Sequence, residues 1–116
     1  MKFYQCESCK KFIVSKDALV CEGWKEVIPG STDAAVEKHV PVVEKTVGGI
    51  KVSVGSVMHP ATAEHYIEWV LVETQDGYQM KYLSSSDVPE VTLALKSGDE
   101  VVGVYAYCNL HGLWKA

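Results

Sequence analysis

Short runs of alternating apolar and polar residues, broken by Gly, Pro and Asp, dominate the chain and predict strands rather than helices. Val40 to Lys45 reads as a strand that Pro41, near its start, confines to a sheet edge or an entry point. Gly48-Gly49 turns it into a second strand, Ile50-Lys51-Val52-Ser53-Val54, as a hairpin. Ile67, Trp69 and Leu71 alternate with Glu68, Val70 and Val72, the mark of a well-buried strand. Asp76-Gly77 is a second hairpin turn, leading into Tyr78 to Leu83. Val91 to Leu95 is another strand, and Ser97-Gly98-Asp99 turns into Val101 to Tyr107. Ser31 to Val36 has the features of one or two helical turns, with Ser31 as cap and Asp33 in the first turn. Six or seven short strands with turns at this spacing imply an all-β antiparallel sandwich.

The chain divides in two. Residues 1–28 form a small N-terminal segment ending before Pro29-Gly30, and residues 29–116 form the main domain. In the first part, Lys10 to Val20 reads as short strands around a Lys16-Asp17 turn. That part is too small to fold alone without a metal or a neighbour to pack on.

Composition narrows the function. The 116 residues are 47% apolar, enough for one core and too apolar for disorder. No apolar run is long enough for a membrane span, and the N-terminus lacks the apolar stretch of a secretory signal. All 11 basic residues are lysine and the net charge is −4, which argues against a nucleic-acid partner. With 4 cysteines and no signal, the expectation is a reducing, cytoplasmic setting, where metal or redox roles outweigh structural disulfides.

Four histidines, His39, His59, His65 and His111, each border a strand end or a turn. His65 is in phase with Ile67, Trp69 and Leu71, which assigns it to the core side. Cys108 is in phase with Val102, Val104 and Ala106, so its sulfur leaves the core face where the strand ends. His111 follows at C-x-x-H spacing, and Gly112 permits a sharp bend there. A sandwich gathers its loops at its ends, so these residues can meet around one metal ion. A structural zinc site wants four ligands with more thiolates. A blue-copper site wants a weak axial ligand, usually Met, soon after the histidine, and Gly112 to Ala116 offers none. Four imidazoles and one thiolate suit an iron site with one open position better. A cupredoxin-like electron carrier and a zinc-stabilised interaction domain are the competing readings.

Four motifs carry a resemblance. Glu37-Lys38-His39-Val40-Pro41, Gly55-Ser56-Val57-Met58-His59-Pro60, His65-Tyr66-Ile67-Glu68-Trp69 and Tyr107 to Lys115 resemble superoxide reductase, and the whole chain is similar to desulfoferrodoxin, the two-domain form. The resemblance implies a seven-stranded immunoglobulin-like sandwich with a small desulforedoxin-like N-terminal segment. It implies one catalytic iron with His39, His59, His65 and His111 equatorial and Cys108 axial. Glu37 then corresponds to the carboxylate that closes the ferric site, and Lys38 to the lysine that guides superoxide. The implied reaction is reduction of superoxide to hydrogen peroxide, with a rubredoxin-like electron donor and a homo-oligomeric assembly.

The N-terminal segment departs from the family pattern. A second iron would need four thiolates, but this chain has Cys6, Cys9 and Cys21, with Glu22 where the last should stand. Glu22 is able to ligate zinc through oxygen, but a fold remnant without metal is the favoured expectation. Trp69 and Trp114 are expected as core or site-wall residues. Tyr105 and Tyr107 point away from the Cys108 face, toward outer-face or second-sheet packing.

Overall fold

The structure, a computed structural model, describes residues 1–116. Its elements in chain order are β1 (Lys2–Cys6), β2 (Phe12–Ser15), β3 (Trp24–Val27), α1 (Val36–His39), β4 (Pro41–Thr46), β5 (Gly49–Val54), β6 (Ile67–Thr74), β7 (Gly77–Tyr82), β8 (Glu90–Ala94), β9 (Val101–Cys108) and β10 (Gly112–Lys115). They form three sheets, ordered β2-β1-β3, β10-β9-β6-β7 and β4-β5-β8. Every pairing is antiparallel. The four- and three-stranded sheets make the seven-strand sandwich. No helix is long and apolar enough to cross a membrane.

The main core lies between those two sheets. Ile50, Val52 and Val54 of β5 and Val91 and Leu93 of β8 meet Ile67, Val70 and Val72 of β6 and Val104, Ala106 and Cys108 of β9. Val52 and Val54 are separated by one residue, as are Val91 and Leu93, so each strand turns one face inward, as period-two patterning requires. β4 sits at the edge of its sheet, as Pro41 led one to expect.

Strand β6 breaks the simple alternation. Ile67 pairs with Cys108 but Trp69 pairs with Tyr107, so two residues of β6 span one step of β9, and Glu68 is the extra residue of a bulge. The bulge reverses the phase. Ile67 stays in the sandwich core with Val70 and Val72, whereas Trp69 and Leu71 turn to the opposite face. The expectation that Ile67, Trp69 and Leu71 share one face is therefore corrected. A second irregularity at Val102, between the Glu73–Gly103 and Thr74–Val101 pairs, leaves Val102 exposed rather than inward.

The reversed face is covered by the N-terminal sheet. Phe3 of β1 packs with Trp69, Leu71, Tyr105 and Leu113 in a second core. Its ring lies 4.6 Å from Tyr105, and Phe12 lies 4.6 Å from Tyr107. Such aromatic pairs contribute about 0.5–1.5 kcal/mol each beyond area burial. This neighbour supplies the hydrophobic contact that so short an N-terminal segment lacks on its own. Tyr105 and Tyr107 accordingly serve second-sheet packing.

Two local expectations change. Lys10 to Val20 does not form strands about Lys16-Asp17: β2 ends at Ser15, and the partner on the other side of β1 is β3. The helical turn lies at Val36–His39, not at Ser31, because the Ser31 hydroxyl is spent on the Ile28 carbonyl at 2.7 Å. β10, at the edge beside β9, was not foreseen.

Candidate metal centre

All five sequence-predicted ligands converge at one end of the sandwich. His39 closes α1, and its Nδ1 donates to the Ala35 carbonyl at 2.7 Å. That fixes the tautomer and leaves the lone pair on Nε2. His59 is set the same way, with Nδ1 donating to the Pro60 carbonyl at 2.8 Å. The loop carrying His59 is tied to α1: Val57 N–H and the Ser56 hydroxyl both donate to the Glu37 carbonyl, at 2.8 and 3.2 Å. This close approach requires glycine at 55, since a Cβ there would lie 2.6 Å from the Glu37 oxygen.

His65 ends a turn closed by backbone bonds to Thr62 in both directions, at 3.0 and 3.2 Å. Asn109 holds that turn beside Cys108. Its Oδ1 accepts from Tyr66 N–H at 3.0 Å and its Nδ2 donates to the Glu64 carbonyl at 3.0 Å. Cys108 ends β9, and His111 sits in the turn before Gly112, whose φ of +80° reverses the chain into β10.

Taken in the order His39, His59, His65, His111, the rings close a square with centroid separations of 4.8, 4.4, 5.0 and 4.9 Å. The diagonal from His39 to His65 is 6.2 Å. Neighbouring rings are steeply inclined, by 73° to 86°. His39 Nε2 lies 3.1 Å from His111 Nδ1. The Nε2 atoms of His59 and His65 are buried with no hydrogen-bond partner. Leaving a buried polar atom unpaired costs about 1–3 kcal/mol, so two in one place mark a partner that the protein itself does not supply. Cys108 Sγ lies 3.9 Å from His111 Nδ1, and the donor atoms of His39, His65, Cys108 and His111 all fall within 4.8 Å of one another.

The electrostatics suit a cation. Burial pushes His39, His59 and His65 below the usual imidazole range, His59 to about 4. They are therefore neutral near pH 7, the state in which imidazole ligates. Burial pushes the Cys108 thiol up, and a coordinated cation reverses that by displacing the proton. Trp114 forms a wall, stacked 5.0 Å from His39, with its Nε1 donating to the His111 carbonyl at 3.0 Å. Glu37 and Lys38 are exposed on α1 beside His39. Asn109 and Gly55, the clamp and the spacer, lie within the motifs that carry the resemblance, but periodicity alone does not reveal either role. Asn109 next to a C-x-x-H pair was the available signal.

Four imidazoles and one thiolate at the end of a seven-strand sandwich define a mononuclear metal protein, with more imidazoles than a blue-copper site employs. The desulfoferrodoxin family model matches residues 31–116, and the chain belongs to that family. It is 43% identical over 121 residues to the desulfoferrodoxin of Nitratidesulfovibrio vulgaris, covering 99% of this chain and 94% of that one. The superoxide reductase of Treponema pallidum superposes with a TM-score of 0.83 at 41% identity, over 99% of this chain and 97% of that one. A one-iron superoxide reductase from Giardia intestinalis matches 69% of this chain and 95% of its own length, with a TM-score of 0.59 and 31% identity.

Proposed function

We propose that the chain is an oxidoreductase that reduces superoxide to hydrogen peroxide at one iron held by His39, His59, His65, His111 and Cys108. The observation that carries this reading is the closed square of imidazoles beside a buried thiol, with two inward nitrogens left unpaired. The donor set fits iron, whose one-electron couple supplies the electron when the metal is bound. The chain's own residues do the rest. Ala35 and Pro60 carbonyls hold two of the rings in the ligating tautomer, and the Asn109 clamp keeps His65 against the Cys108 turn. Cys108 serves as the electron-rich thiolate ligand.

The net charge of −4 opposes an anionic substrate, so a local positive charge is needed. Lys38, exposed beside His39, is assigned that guiding role, and Glu37 the role of closing the oxidised site. We further assign residues 1–28 to a desulforedoxin-like unit and 29–116 to the catalytic domain. The N-terminal sheet ends at Val27 and the family match begins at residue 31, which supports that division. A rubredoxin-like protein as electron donor, a homo-oligomer and a cytoplasmic setting complete the proposal.

Purified protein should contain iron at about one per chain. The reduced form should consume superoxide with formation of peroxide and no release of dioxygen. Copper or zinc in place of iron, or evolution of dioxygen, would refute the assignment.

A further inference from the structure

The three N-terminal cysteines are left unused by this function. They do not fit a four-thiolate iron, since Glu22 is a hard oxygen donor at the remaining position. Cys21 is exposed on the loop before β3 and is not gathered with the others into a donor set. Cys6 and Cys9 are different. They flank the turn that joins β1 to β2, and the Cys9 N–H donates to Cys6 Sγ at 3.4 Å. The Ser8 hydroxyl lies 3.3 Å from the same sulfur. Lys10 N–H bonds the Cys6 carbonyl at 3.0 Å, and Gln5 Nε2 donates to the Lys10 carbonyl at 3.1 Å. The turn is thereby held in one shape, with Lys10 in the left-handed region at φ +63°.

Every donor aimed at Cys6 favours its thiolate. The Ser8 hydroxyl, then the backbone and thiol of Cys9, bring the Cys6 thiol down to about 6. Cys9 is exposed and Cys6 half-buried on the same surface turn, within reach of small oxidants.

We propose that Cys6 and Cys9 form a redox-active dithiol that is oxidised to a disulfide by hydrogen peroxide, the product of the metal centre. In the first step the Cys6 thiolate attacks one peroxide oxygen. The S–O bond forms, the O–O bond breaks and hydroxide leaves, so sulfur is oxidised by two electrons and peroxide is reduced. In the second step the Cys9 sulfur attacks the Cys6 sulfenic acid. The S–S bond forms, the S–O bond breaks, and the departing hydroxide takes the Cys9 proton to leave as water. The identity of the oxidant rests on the function proposed above, but the dithiol chemistry does not.

Peroxide added directly to reduced holoprotein tests the thiols apart from the metal centre. After blocking of the remaining thiols, mass spectrometry should find Cys6 linked to Cys9, with Cys21 and Cys108 unlinked. In C9S, a dimedone-type trap should label Cys6. In C6S it should label none of the three N-terminal positions. At pH 6, folded Cys6 should alkylate about tenfold faster than the same thiol in the urea-unfolded chain, because its larger thiolate fraction outweighs its lower intrinsic nucleophilicity. C6S should consume superoxide at the unaltered rate. A disulfide to Cys21, no sulfenic acid in C9S, or equal alkylation of folded and unfolded chains would overturn the proposal.

Discussion

Cys108 and Cys6 carry the same side chain to opposite ends of its chemistry. Cys108 is fully buried among imidazoles, and burial pushes its thiol up. Cys6 is half-buried at a surface turn, and the hydrogen bonds from Ser8 and Cys9 push its thiol down to about 6. A buried sulfur loses the solvation of its anion and needs a cation to become a thiolate. An exposed sulfur keeps its solvation, and a few aligned donors are enough. The sandwich end is thus organised to be completed by a metal, whereas the N-terminal turn stabilises the Cys6 thiolate with its own donors.

The sharpest way to break this contrast is Cys108→Ser. The loss of activity should exceed the roughly 10–100-fold that outer-sphere partners cost, and thiolate-to-iron charge transfer should vanish from the visible spectrum of the oxidised protein. Survival of that absorption would remove Cys108 from the metal. Next, Asn109→Ala frees the His65 turn, and iron affinity should fall by about 10–100-fold in chelator competition while circular dichroism stays unaltered. Unchanged affinity would mean that backbone pairing alone positions His65.

Acid should separate the two regions further. His59 titrates near 4 in the folded chain against 6.5 unfolded, so the unfolded chain binds more protons in between. The contribution of His59 to the stability of metal-free protein is therefore present above pH 6.5 and falls away as pH drops toward 4, as unfolding midpoints across that range will register. Iron-loaded protein should hold its midpoint to lower pH, because the metal competes with those protons. The smallest expected effect is that of Lys38→Ala, which should slow the second-order reaction with superoxide by up to about tenfold and flatten its salt dependence. An unchanged rate and salt slope in stopped-flow measurements would remove Lys38 from the mechanism.

Much of this was legible along the chain. Strand periodicity and the turns at Gly48-Gly49 and Asp76-Gly77 mark strands that the sandwich contains, because those signals are local. The five side chains that converge at the sandwich end were legible as well, since each borders a strand end or turn and two share C-x-x-H spacing. The direction of Trp69 and Leu71 was not. One extra residue at Glu68 reverses every side chain beyond it, and nothing in the alternation of Ile67 to Val72 reveals the inserted step. β3 is not legible locally because its pairing depends on β1, with partners from Phe3–Val27 to Cys6–Trp24 far apart in sequence.

By itself the sequence determined the all-β class, the strand-and-turn plan and the set of donor atoms, because side-chain chemistry and period-two patterning travel with the residues. Tertiary structure alone decided that four imidazoles close a square, that Asn109 clamps the His65 turn, and that Phe3 seals the second face of β6 and β9. Each of these depends on residues far apart along the chain meeting at set distances, and only the packed sheets fix those distances.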